Sequence, residues 1–194
     1  MIYEYDNMIF SRHSFPQIKS ITSGKCCFQH VREFVIDGLE SLDIVTIDGS
    51  YHRGDVKRQY DGVVQITNCP HLFLLEIGGS NFRDFKSLEL SNLNSLYSIK
   101  FGYDCFQYIR EFVLDGLESL ESVKIGRECF RIDDKRRDDG ICRITNCPNL
   151  TQLEIGDRSF GDFKSFEISN LNSIQSIKFG WYCFKYADFS LKGE

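Results

Sequence analysis

The sequence predicts a mostly β protein: a solenoid of about seven stacked turns of 24–30 residues, with two short strands per turn and little helix. Three observations lead there. The chain repeats itself, its apolar residues recur two apart in short runs, and Gly, Asn or Asp closes nearly every run.

The repeat is plain in the letters. CFQHVREFVIDGLESL, from Cys27 to Leu42, returns as CFQYIREFVLDGLESL, from Cys105 to Leu120, a displacement of 78 residues. The same displacement carries NCPHLFLLEIGGSNFRDFKSLELSNLNSL onto NCPNLTQLEIGDRSFGDFKSFEISNLNSI. Within each block lie units of 24, 30 and 24 residues, following the pattern LxxLxIGxxxF and then FxIxxL. A unit this short cannot enclose a core alone, so it has to stack on its neighbours.

The first strand of each unit is expected at the apolar sets Ile18, Ile21; Leu42, Val45, Ile47; Leu72, Leu75, Ile77; Leu96, Ile99, Phe101; Leu120, Val123, Ile125; Leu150, Leu153, Ile155; and Ile174, Ile177, Phe179. A period of two is that of a strand with one buried face. The second strand carries the inward pairs Phe34/Ile36, Val64/Ile66, Leu88/Leu90, Phe112/Leu114, Cys142/Ile144, Phe166/Ile168 and Phe189/Leu191. Each strand is expected to bond to its equivalent about 4.8 Å away. In the partial first unit, residues 1–15, Phe10 and Arg12 align with Leu88 and Leu90.

Two columns read as left-handed corners, because Gly, Asn and Asp tolerate positive φ. One holds Gly24, Asp48, Gly78, Gly102, Gly126, Gly156 and Gly180, and the other Gly38, Asn68, Asn92, Gly116, Asn146 and Asn170. A third column, Phe28, Phe82, Phe106, Phe130, Phe160 and Phe184, predicts an aromatic spine interrupted by His52.

These residues resemble the BspA-type leucine-rich repeats, with the matching elements VKIGRECF, LEIGDRSF and IKFGWYCF and a small residue before Phe. The resemblance runs from about residue 8 to residue 194. It implies a right-handed leucine-rich-repeat solenoid used for binding, often displayed on microbial surfaces, with no chemistry of its own. Residues 1–194 then form a single domain, either a fragment of a longer array or a body with uncapped ends that associates end to end.

Composition narrows the function. The 23 Lys+Arg against 28 Asp+Glu give a net charge of −5, and no basic stripe is present to meet nucleic-acid phosphates. No run approaches the ~18 apolar residues of a membrane helix, and MIYEYDNMIF is no secretory signal. Cys27, Cys105, Cys129 and Cys183 share a column with Asn81 and Ser159, while Cys69 and Cys147 stand where other units have Leu. They read as small buried fillers with free thiols, although adjacent turns bring Cys105 and Cys129 within bonding reach. Free thiols and the missing signal lean toward the cytoplasm. No nucleophile, base and acid constellation, phosphate loop, cofactor site or metal signature can be assigned, so the chain reads as non-enzymatic.

Candidate binding residues fall in two groups. The aromatic group is Tyr103 and Tyr108 in one copy, with Trp181, Tyr182 and Tyr186 in the other, in columns that elsewhere hold Lys25, Arg127 and Asp157. The charged group lies in the insertions of the longer units: Arg53, Asp55, Lys57 and Arg58 in one, Lys135, Arg136 and Arg137 in the other. Arg53-Gly54-Asp55 spells an integrin-binding tripeptide, which chance accounts for better. On the sheet face, Glu76/Lys100 and Lys124/Glu154 are placed to pair, and Ile44 with Leu74 forms a small apolar spot. The expected partner is a protein, with a structural or adhesive role in a larger cell-surface repeat protein as the alternative.

Overall fold

The computed structural model describes residues 6–25, 27–28, 31–49, 62–131 and 140–192. These are mostly β, without helix, in repetitive parallel strands. In chain order the strands are β1 (Asp6–Ser11), β2 (Ser20–Ser23), β3 (Val31–Asp37), β4 (Ile44–Ile47), β5 (Gly62–Thr67), β6 (Leu74–Ile77), β7 (Phe85–Ser91) and β8 (Ser98–Phe101). They continue with β9 (Glu111–Asp115), β10 (Ser122–Ile125), β11 (Gly140–Thr145), β12 (Gln152–Ile155), β13 (Phe163–Ser169), β14 (Ser176–Phe179) and β15 (Asp188–Lys192).

The even-numbered strands form one seven-stranded sheet in the order β14-β12-β10-β8-β6-β4-β2. Residues expected one above another are partners: Val123 opposes Ile99 on one side and Leu153 on the other. Their apolar members fill the core, with Val45, Leu75, Ile99, Val123 and Leu153 at most 1% exposed. At β14 the same column is open, Ile177 being 41% and Phe179 44% exposed.

The odd-numbered strands divide into two four-stranded parallel sheets, β1-β3-β5-β7 and β15-β13-β11-β9. The expected unbroken second ladder is therefore interrupted between β7 and β9, where Leu88 and Leu90 are only half-buried. The first strand is also shifted from the expected alignment. Met8 opposes Phe34 and Phe10 opposes Ile36, so Phe10 occupies the column of Leu90 rather than that of Leu88. A two-residue shift keeps the faces, and it turns Arg12 out to meet Glu40 at 2.9 Å instead of burying a guanidinium.

The Phe spine is present, and it lacks the interruption expected of it. Phe106 and Phe130 stack with centroids 5.5 Å apart, Phe130 and Phe160 at 4.6 Å, and Phe160 and Phe184 at 4.9 Å. Phe28 stacks directly on Phe82 at 5.9 Å, so the spine continues past the unit of His52, a residue outside those described. Each stacked pair adds roughly 0.5–1.5 kcal/mol to its burial.

One corner column is as expected and the other is not. Gly38, Asn68, Asn92, Gly116, Asn146 and Asn170 all have φ between 52° and 69°. None of Gly24, Gly78, Gly102, Gly126, Gly156 and Gly180 lies in the left-handed region. From Gly78 onward their requirement is close approach: a Cβ on Gly102 would lie 2.3 Å from the Gly79 nitrogen, and one on Gly126 2.5 Å from the Gly102 oxygen. Positive φ instead falls two and four residues later, at Asp104, Glu128, Arg158 and Tyr182 and at the spine residues Phe106, Phe130, Phe160 and Phe184. A bulky residue held there costs about 1–3 kcal/mol, which the stack has to offset.

Candidate functional site

The corners after the even-numbered strands stack into a ridge. Their left-handed residues donate amide hydrogen bonds to the next unit: Asp104 to the Arg127 oxygen at 2.9 Å, Glu128 to Asp157 at 2.8 Å, and Arg158 to Trp181 at 2.7 Å. These bonds fix Tyr103, Arg127, Asp157 and Trp181 in one column, with Asp104, Glu128, Arg158 and Tyr182 in the column beside it.

From Phe82 onward, the residue before each spine Phe ties the ridge down from inside. The Cys105 thiol donates to the Gly78 oxygen at 3.2 Å, Cys129 to Gly102 at 2.9 Å, and Cys183 to Gly156 at 2.9 Å. The Ser159 hydroxyl donates to Gly126 at 2.7 Å, and the Asn81 amide to the Asp48 oxygen at 2.7 Å. The column selects small donors, a stricter requirement than small fillers. Cys69, Cys105, Cys129, Cys142 and Cys147 are free and buried, whereas Cys27 is exposed, contrary to the filler expectation. Burial pushes the Cys147 thiol up to about 11 and also raises Cys129 and Cys142. These thiols stay protonated at neutral pH and are weak nucleophiles.

On the outside of the ridge, Trp181 is 78% exposed, Tyr182 62%, Tyr186 47% and Tyr103 45%, while Tyr108 is half-buried. Tyr103 lies over Gly79, with the Arg127 guanidinium carbon 5.7 Å from its ring centre. The Asp157 carboxylate accepts a hydrogen bond from the Trp181 amide at 2.7 Å. Thus Trp181, Tyr182 and Tyr186 share one unit, and Tyr103 lies further along the same ridge, with Arg127 and Asp157 between. Arg53, Asp55, Lys57, Arg58, Lys135, Arg136 and Arg137 lie outside the described residues.

Basic residues that the sequence reading left out join these aromatics. A cleft of about 290 Å³ is lined by Arg131, Arg158, Lys185, Tyr182 and Tyr186, among others. A second, of about 270 Å³, lies between Arg127, Arg158, Trp181 and Tyr182. Stepping back one unit from Tyr182 and Lys185 leads to Arg158 and Gly161, and one further from Gly161 to Arg131, so the column signal was there to follow.

The sheet face holds the two expected ion pairs, Lys100 with Glu76 and Lys124 with Glu154 at 3.1 Å. Its apolar spot is larger than Ile44 and Leu74 alone, because Phe73 and Tyr97 stack there at 4.9 Å, 49% and 37% exposed. A hydrogen bond to Glu121 pushes the Tyr97 hydroxyl pKa up. Among the described residues, no three His, Cys, Asp or Glu side chains are grouped to hold a metal ion. No protein-family model, curated protein or solved structure matches this chain.

Proposed function

We propose that the chain is a BspA-type leucine-rich-repeat solenoid, right-handed and of about seven turns, that acts as a non-enzymatic scaffold for protein–protein interaction. The observation that carries this reading is the corner ridge: Trp181, Tyr182, Tyr186 and Tyr103 are exposed beside Arg127, Arg131 and Arg158. Tyr, Trp and Arg are the residue types that dominate binding energy at protein interfaces. The parallel ladders and stacked Phe spine support the solenoid. Trp181→Ala and Tyr103→Ala together should abolish specific capture of a partner, identified by mass spectrometry, with the melting temperature nearly unchanged. Capture undiminished by the pair of substitutions counts against the ridge.

The alternative is a structural or adhesive segment of a larger cell-surface repeat protein, with end-to-end self-association. It is favoured by the apolar face of the β14 and β15 unit, where Ile177, Phe179, Phe189 and Leu191 are 41%, 44%, 54% and 71% exposed. Inner units cover the equivalent positions with the next repeat, Phe101 and Leu114 being buried.

A further inference from the structure

One place after each spine phenylalanine, successive units carry Arg83, Gln107, Arg131, Gly161 and Lys185. Gly161 is the member without a side chain, and packing does not demand one so small. A Cβ there would meet only the Arg158 oxygen at 3.5 Å and the Tyr182 oxygen at 3.8 Å, ordinary van der Waals contacts, and its φ is not left-handed. This sets it apart from Gly102 and Gly126, where a Cβ would overlap backbone. The effect of glycine at 161 is to leave the 290 Å³ cleft open between the units that carry Arg131 and Lys185.

The chemistry of that opening is cationic and aromatic. Arg131, Arg158 and Lys185 line it with Tyr182 and Tyr186, and the acidic member, Asp162, is 7% exposed. The Lys185 ammonium lies 4.9 Å from the Tyr186 ring centre and 5.9 Å from that of Tyr182. Glu128 sits 3.5 Å from Arg158 and 4.0 Å from Arg131 in exposed pairs. Such pairs hold their partners weakly, so an arriving carboxylate can take a share of both guanidinium groups. The adjoining cleft shares Arg158 and Tyr182 and continues to Arg127 and Trp181. Its two carboxylates are already engaged, Glu128 with Arg158 and Asp157 with the Trp181 amide at 2.7 Å, so the ligand's acidic group is placed over Gly161 and its flanking residues along the aromatics.

We propose that the cleft over Gly161 seats a carboxylate side chain from an acidic segment of a protein partner. The assignment rests on the interaction reading above and names the chemistry of its ligand.

Trp181 is the single tryptophan and borders the site, so its emission reports occupancy without a label. The full chain is titrated with a hexaglutamate peptide, a hexaglutamine peptide and a sulfated oligosaccharide, with calorimetry as a second readout. Saturable binding of hexaglutamate alone, weakening as salt rises, is expected. Gly161→Gln, which gives the cleft the side chain that Gln107 carries in the same column, should weaken it about tenfold with the melting temperature retained. Lys185→Gln, which leaves the backbone untouched, should weaken it in the same direction. Equal binding of hexaglutamine, tighter binding of the oligosaccharide, or affinity indifferent to both substitutions overturns the assignment. A failed titration with partner capture intact removes the acidic ligand alone, whereas loss of capture by the wild-type chain falls on the interaction reading itself.

Discussion

Asp37 shows how one side chain joins two repeats. Its carboxylate accepts hydrogen bonds from the Thr67 hydroxyl and the Asn68 amide, each at 2.7 Å, and Asp115 repeats the arrangement with Thr145 and Asn146, also at 2.7 Å. The bonds from Asn68 and then Thr67 hold the Asp37 pKa below its ordinary value. A lowered folded-state pKa means the contribution is present above the unfolded value of about 3.9 and is lost as pH falls through the folded one. Asp37→Ala should therefore lower the melting temperature at neutral pH, and the gap to wild type should narrow progressively as the pH falls below the unfolded value of about 3.9. A gap that is constant with pH would show that the carboxylate's charge is not what matters. At this scale the sequence was legible where a column holds a single chemical type, as with the Asn and Gly corners. It was less so at the Cys, Ser and Asn column, whose common property, a short donor, becomes visible only once the facing carbonyls of Gly78, Gly102, Gly126 and Gly156 are in place.

Strand elements form here through alternation, and the glycines between them work in two different ways. Gly102 and Gly126 admit the backbone of the preceding unit at distances no Cβ allows, whereas an added methyl group would find nothing within 4 Å at Gly24 and only two ordinary contacts at Gly161. Gly126→Ala should thus cost roughly 2–4 kcal/mol, in the range of core overpacking and backbone strain, while Gly24→Ala and Gly161→Ala stay within about 0.5 kcal/mol of wild type in urea unfolding. Comparable losses at all three positions would contradict the close-approach account. Sequence patterning placed Gly24, Gly102 and Gly126 at corners but assigned left-handed backbone to all three. The reason is that Gly serves both positive φ and close packing, and a single chain of letters does not separate the two. The shifted register of β1 has the same origin: a displacement of two preserves the alternation, so either alignment reads as a strand, and the exclusion of Arg12 from the core decides between them.

Across the whole molecule, stability runs along nearest-neighbour contacts, each Phe of the spine resting on the next. The last strand pair breaks that pattern by exposing Phe179, Phe189 and Leu191. If end-to-end association follows from this face, the sedimentation coefficient rises with protein concentration, and Phe189→Ser with Leu191→Ser reduces the rise. A concentration-independent coefficient for wild type argues against that alternative. The double substitution itself should cost little stability, because both side chains are already more than half exposed.

Repetition alone determined the strand count per unit, the buried face of nearly every strand, the polar corners and the stacked phenylalanines, because like residues at a fixed displacement have to lie over one another to share a core. Tertiary structure decided what depends on distances between units: which glycines admit backbone, where the second ladder breaks, and the meeting of Arg131, Arg158 and Lys185 around Gly161. Those three cations follow one another at intervals of 27 residues along the chain, and only the stacking of three successive corners brings their charges to one opening.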